Sequence, residues 1–298
     1  MFKQLGLIGC GLMGGSFALA MKKAGLVKRV RGYSKSPSTT ARARQLGVID
    51  EEEPSALMAV SGSDIVLLAV PVSATEATLK AIRHLVTQNM LIMDVGSTKV
   101  NVVRAARSAL GMHSGSFVPA HPVAGSETSG VEHADANLYR GRHIILTPAD
   151  NTRAQQLQRA EELWTALGCS ISHMEAESHD TAFAAISHLP HLLAFATMNG
   201  LSRQNEVQEF LSVAGPGFRD FTRIAASDPK IWSAILRANR QRILAQTEHF
   251  KTALHALEAA MQEDSGQQLH NLIANASKTR AEWQTSNTQH PHAEHSGT

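Results

Sequence analysis

Cysteine is almost missing from this 298-residue chain, which has only Cys10 and Cys169. Two thiols cannot build a disulfide framework, and they suit a reducing compartment. A basic excess is missing too. Lysine and arginine number 28 against 26 acidic residues, for a formal net charge of +2. Binding to nucleic acid by neutralising its phosphates needs a surplus this chain lacks. Long hydrophobic runs are also absent, since stretches such as residues 65–70 fall far short of the roughly 20 apolar residues that span a bilayer. An early lysine and Leu7-Ile8-Gly9-Cys10 imitate a lipoprotein cleavage box, but the apolar stretch before Cys10 is only about half a signal peptide's hydrophobic region. These absences predict a soluble cytoplasmic protein with no nucleic-acid or membrane partner. Its 43% hydrophobic content is enough for real cores.

Apolar runs at 4–8, 30–33, 64–70, 91–95, 117–120, 143–147 and 170–174 predict strands. Between them, 12–24, 39–45, 74–85, 100–110 and 152–167 carry helical patterns. Continuous apolar strands alternating with amphipathic helices predict a parallel sheet covered on both faces, the α/β class. After residue 176 the strands stop. Segments 180–201, 206–213, 230–239, 240–264 and 267–284 predict helices, separated by Gly215-Pro216-Gly217 and Asp228-Pro229. Pro190 lies inside the first and predicts a kink, because proline removes a donor and crowds the preceding turn. In 240–264 the residues Ile243, Phe250, Leu254, Leu257 and Met261 recur at helical spacing, a stripe that fits either a core or burial against a second subunit. Polar residues 286–298 predict a disordered tail.

Gly9-Cys10-Gly11-Leu12-Met13-Gly14 is G-x-G-x-x-G between a predicted strand and helix. Gly9 permits the tight turn, Gly11 lets backbone approach a pyrophosphate, and Gly14 lets helix and strand pack closely. Residues 1–176 therefore predict a Rossmann-type dinucleotide-binding domain. An NAD site usually places an acidic residue about 20 positions beyond the fingerprint. Here Ser34, Lys35 and Ser36 stand there, with Arg42 and Arg44 nearby and no acid before Asp50. Hydroxyls and positive charge suit a 2′-phosphate, so NADP is predicted, with NAD the alternative. Ser97 and His121 follow the carboxyl ends of strands, where open α/β sheets bind ligands. An imidazole there can accept a hydroxyl proton; unperturbed, it would give an acid limb at roughly pH 6–7.

His121-Pro-Val-Ala-Gly-Ser-Glu-Thr-Ser-Gly, the preceding Gly-Ser-Thr-Lys, Ser187-His-Leu-Pro-His and Gly217-Phe-Arg-Asp-Phe-Thr-Arg together resemble the prephenate/arogenate dehydrogenases of tyrosine biosynthesis. The likeness runs in order from about residue 4 to about residue 285. It implies oxidative decarboxylation of a cyclohexadienyl ring with hydride transfer to NAD(P). It also implies an all-α domain over 177–285 that binds substrate and forms a homodimer. By resemblance His121 is the catalytic histidine and Ser97 lies near the ring hydroxyl and nicotinamide. Arg223 binds substrate carboxylate, and His179 and His191 line the pocket. Ser126, Glu127, Arg219 and Trp232 fall at further matching positions, and Glu127 is the acidic candidate for favouring an amino over a keto side chain. Pro216 departs from the family, which often has glycine there.

The chemistry needs no metal. His188 and His191 lack a third ligand at metal-site spacing, and His290, His292 and His295 read as a solvated tail. A 3-hydroxyacid dehydrogenase or imine reductase could share the fingerprint and helical second domain. It would use a lysine-based or Ser/Thr-based acid–base site on the long helix after residue 178, where this chain offers His188 and His191. A non-catalytic NADP sensor would have lost His121 or Arg223.

Overall fold

Side chains of β1 (Phe2–Ile8) alternate between two faces, and from Gln4 onward both faces are buried. Leu5 and Leu7 join a cluster with Val30, Ile65, Leu67, Leu91 and Met93, while Ile8 joins another with Val66, Leu68 and Ile92. Full burial of each such side chain contributes about 1.5–3 kcal/mol. In the computed structural model, which describes residues 1–124 and 128–288, β1 pairs in parallel with β2 (Val27–Tyr33) and β4 (Ile65–Leu68). With β3 (Glu51–Glu52), β5 (Leu91–Asp94) and β6 (Phe117–Val118) the sheet has the order β3-β2-β1-β4-β5-β6. The opening residues are thus a central strand, and Cys10 behind it is fully buried.

Helices cover both faces. Phe17 and Met21 of α1 (Leu12–Lys23) and Leu163 and Trp164 of a later helix fill one cluster. The short α2 (Pro37–Gln45) and α3 (Ala56–Val60) link strands at the β3 edge. On the other face lie Leu79 and Ile82 of α4 (Thr75–Ile82) and Val102 and Ala106 of α5 (Val100–Leu110). The later helix is α6 (Ala154–Ala166). Neither β3 nor α3 is visible as a pattern in the sequence, because two and five residues are too short to show a period.

The predicted strand 117–120 is two strands. It breaks at Pro119, which has no N–H to continue a ladder. Beyond it β7 (Ala120–Pro122) joins a separate sheet, antiparallel to β8 (His143–Leu146), which pairs in parallel with β9 (Ser170–His173). The last strands are therefore not part of one parallel sheet. That change of sheet carries His121 onto the carboxyl edge of the first one.

From Ala176 the chain is helical. α7 (Ala176–Phe183) passes through a π-helical turn, Ala184–His188, into α8 (Leu189–Leu201). Pro190 cannot donate to the preceding turn, and the widened turn just before it absorbs the mismatch. Ala176–Leu201 is 26 residues long and contains an 18-residue stretch of mean hydropathy 1.2, long and apolar enough to cross a membrane by length and composition. The sequence expectation overlooked it because the span is interrupted by His179, Asp180 and His188, all buried in protein here. α9 (Val207–Ser212), α10 (Pro216–Thr222) and α11 (Pro229–Ala238) follow. Gly215-Pro216-Gly217 is not a plain break, since Pro216 opens α10 at its first turn. Asp228 caps α11 by accepting from the Lys230 and Ile231 N–H groups.

Two compact units result, Met1–Ile243 and one beginning at Leu244. α12 (Arg240–Gln262) runs into the second, which continues through Asp264 (φ +51°) into α13 (Gly266–Thr288). Helical backbone therefore reaches Thr288, past the predicted end at 284, because 285–288 continue the same polar helical run. His290, His292 and His295 lie outside the described residues.

Candidate active site

The glycine loop is shaped by close approach. Gly9 has φ +99°, and a Cβ there would lie 2.2 Å from the Ala69 carbonyl oxygen. A Cβ on Gly14 would meet the Gly9 oxygen at 2.0 Å. Around Gly11 nothing lies within 4 Å of that position, so the loop leaves a cradle open to a ligand. The first turn of α1 holds no acidic side chain and no side-chain cap, which leaves its N–H groups available to an anion. Ser34 Oγ accepts from the Cys10 N–H at 2.8 Å, tying the end of β2 to this loop. Lys35 and Ser36 are exposed beside it.

A cavity of about 550 Å³ opens from this cradle. Its wall includes Gly11–Gly14, Ser97, His121, Phe183, His191, Arg223 and Trp232. Trp232 stacks on His191 with ring centroids 3.5 Å apart. Of the sequence-predicted residues, the structure brings Gly11, Leu12, Met13, Gly14, Ser97, His121, His191, Arg223 and Trp232 onto one cavity. Arg219 is exposed on α10 and off the wall, with Nε donating to the Ala214 carbonyl at 3.3 Å. His179 is fully buried behind His121 rather than on the wall. Ser126 and Glu127 lie outside the described residues.

Behind the wall is a network that sequence reasoning did not find. His121 Nδ1 is 2.8 Å from His179 Nε2, and His179 Nδ1 is 2.9 Å from Asp180 Oδ1. Asp180 also accepts from the Lys99 and Val100 N–H groups at the start of α5, at 2.7 and 3.0 Å. Lys99 is fully buried and its Nζ donates to Asp94 Oδ2 at 2.5 Å and to the Ala120 carbonyl at 2.7 Å. Asp94 Oδ1 in turn takes the Ala120 N–H. The pair clamps β5 to β7 next to His121. Buried His188 shares a 3.1 Å contact with Asn239, which also donates to the Asp180 carbonyl. A His-Asp dipeptide opening the first helix after the last strand was the one available sequence signal for this.

Electrostatics follow from burial. Burial first, then His179, Lys99 and His188, hold the His121 imidazolium well below its ordinary range. Burial also lowers His179, partly offset by Asp180, and lowers His188 to about 4. Burial pushes Asp180 up, but the His179 hydrogen bond and the two α5 N–H groups outweigh it, and the carboxyl is held low. Among the described residues no group of three or more His, Cys, Asp or Glu is placed to hold a metal ion.

A parallel sheet in this strand order, with a glycine cradle at its carboxyl edge and a histidine–arginine cavity beside it, defines a dinucleotide-dependent dehydrogenase. Residues 17–173 match the family described as prephenate dehydrogenase, nucleotide-binding domain. Residues 175–275 match prephenate dehydrogenase, dimerization domain. The chain is 34% identical to the cyclohexadienyl dehydrogenase of Zymomonas mobilis, covering 97% of this chain and 99% of that protein. It is 33% identical to the prephenate dehydrogenase of Bacillus subtilis, covering 92% and 74%. The prephenate dehydrogenase of Aquifex aeolicus, solved in complex with hydroxyphenyl propionate and NAD+, superposes with a TM-score of 0.86 at 34% identity, covering 95% of this chain and 98% of that one. The chain belongs to the prephenate dehydrogenase family. The 3-hydroxyacid and imine reductase alternative is not favoured by these matches.

Proposed function

We propose that this protein oxidatively decarboxylates prephenate or arogenate in tyrosine biosynthesis, with NADP preferred over NAD. The observation that carries the reading is the single cavity joining the glycine cradle to His121, His191 and Arg223. A nicotinamide cofactor held at the Gly9–Gly14 loop would supply the acceptor for hydride from the carbinol carbon. His121, on the cavity wall, takes the hydroxyl proton as that C–H bond breaks. Loss of carbon dioxide then leaves its bonding electrons in the ring, which becomes aromatic. Arg223 presents a planar fork to a substrate carboxylate, and Ser97 lies beside the reacting hydroxyl. Trp232 stacked on His191 gives the ring an apolar wall.

Gly9, Gly11, Leu12, Met13 and Gly14 would hold the pyrophosphate, and the open space at Gly11 is what supports this. Ser34, Lys35 and Ser36 would take the 2′-phosphate, with no acidic side chain among them to repel it. Residues 1–176 form the dinucleotide-binding domain and 177–285 the helical substrate and dimerisation domain of a homodimer. The protein works in the cytoplasm, a reading supported by two cysteines that are both free and buried.

Steady-state kinetics with prephenate and arogenate against both nicotinamides test the reading. NADP should give the higher kcat/KM, and Ser34→Asp should move the preference toward NAD by charge repulsion. A wild-type preference for NAD overturns the cofactor assignment, and turnover of neither substrate overturns the reaction.

A further inference from the structure

Asp180 is an acceptor only. Its two oxygens receive the Lys99 and Val100 N–H groups at the start of α5, where the helix dipole favours an anion, and a third contact comes from His179. His179 Nδ1 must therefore donate to it. A neutral imidazole with Nδ1 protonated has its lone pair on Nε2, and that atom faces His121 Nδ1 at 2.8 Å. His121 Nδ1 must donate in turn, which leaves the lone pair of His121 on Nε2. Among the described residues that nitrogen has no hydrogen-bond partner, and the side chain lines the cavity. Phe183 fixes both planes, stacking on His179 at 4.5 Å and 18° and lying tilted at 4.5 Å against His121.

We propose that His179 and Asp180 are positioning residues that hold His121 in its Nδ1–H form, so that Nε2 is the proton acceptor for the substrate hydroxyl. The inference rests on the dehydrogenase reading for its purpose, but the tautomer exists without substrate. When His121 Nε2 takes the proton, the positive charge is shared with His179 and balanced by Asp180, whose own proton count does not change. Among the described residues no carboxylate lies in direct contact with His121. Among the described residues, the other charged or titratable groups packed around it are Lys99, paired with Asp94, and His188, with His191, Arg142, Arg223 and Asp228 also on the cavity wall. The anchor is therefore built through a second histidine. It also spans the chain, because His121 sits at the edge of the sheets while His179 and Asp180 open the helical part.

Nitrogen-15 NMR of the histidine rings in the unliganded protein reads the tautomer directly, with the His121 signals assigned by their loss in His121→Gln. The expected result is His121 protonated at Nδ1 and bare at Nε2. Asp180→Asn should disturb this and lower kcat by about 10²–10⁴-fold, with KM within a few fold and a shifted acid limb. His179→Gln supplies an amide oxygen that still accepts from His121 Nδ1, so it should retain the tautomer and lose less activity than Asp180→Asn. A wild-type His121 protonated at Nε2 overturns the proposal, as does an Asp180→Asn protein with unchanged kcat and pH profile. Should Asp180→Asn fail to fold, the wild-type tautomer and His179→Gln decide the matter. An Nδ1–H His121 in a protein that turns over neither prephenate nor arogenate upholds the positioning and overturns only the reaction.

Discussion

Burial, reinforced by His179, Lys99 and His188, keeps His121 neutral well below the titration range of a free imidazole. A general base works only when deprotonated, so lowering its pKa extends activity toward acid. The acid limb of kcat/KM should lie below the pH 6–7 window expected from an unperturbed histidine. His121→Asn should lower kcat by about 10²–10⁴-fold and flatten that limb in a pH–rate series; a mutant that keeps the limb removes His121 from the chemistry. Arg223→Ala should cost about 2 kcal/mol of substrate binding, roughly 30-fold in KM, while a cofactor titration stays unchanged. Both residues could be found in the sequence because each lies in a short run of unusual composition. Asp180 was not, because its Lys99 partner lies 81 positions away and the one local signal, the His179-Asp180 dipeptide, does not mark the carboxylate as buried.

Turns and helix starts decide what an element can hold. Gly11 and Gly14 look alike in the fingerprint, yet one faces open space and the other faces backbone. Gly11→Ala should leave Tm nearly unchanged and weaken dinucleotide affinity in a binding titration. Gly14→Ala should lower Tm outright, because a methyl 2.0 Å from the Gly9 oxygen forces the strand and helix apart. Equal effects in the two variants would contradict this division of roles. The main strands were legible as short continuous apolar runs, buried on both faces, and the helices by an apolar period of 3.6. The split at Pro119 was not, since residues 117–120 read as one apolar run and the change of partner depends on Asp94 holding the Ala120 N–H. Likewise α10 hid behind a Gly-Pro-Gly triplet whose proline serves as a helix start.

The second unit is a pair of long helices. Along α12 the predicted stripe is divided: Ile243 is buried, whereas Leu254 and Met261 are exposed, as are Ile273 and Trp283 on α13. Apolar side chains left uncovered in a family with a dimerization domain predict a two-fold dimer with a large apolar interface. Sedimentation should give a dimer at micromolar concentration, and a stable monomer there would sink the idea.

The two thiols carry a separate consequence. Cys10, behind the central strand, is pushed up to about 11, and Cys169, just before β9, to about 12, both by burial. At neutral pH neither is a thiolate, and only a thiolate attacks an alkylating reagent at a useful rate. The native chain is thus chemically silent toward such reagents until its core opens. Every alkylation event then records an opening, and mapping it to Cys10 or Cys169 tells which sheet opened first. The scarcity of cysteine leaves the enzyme with a native clock for its own unfolding, one hand on each sheet.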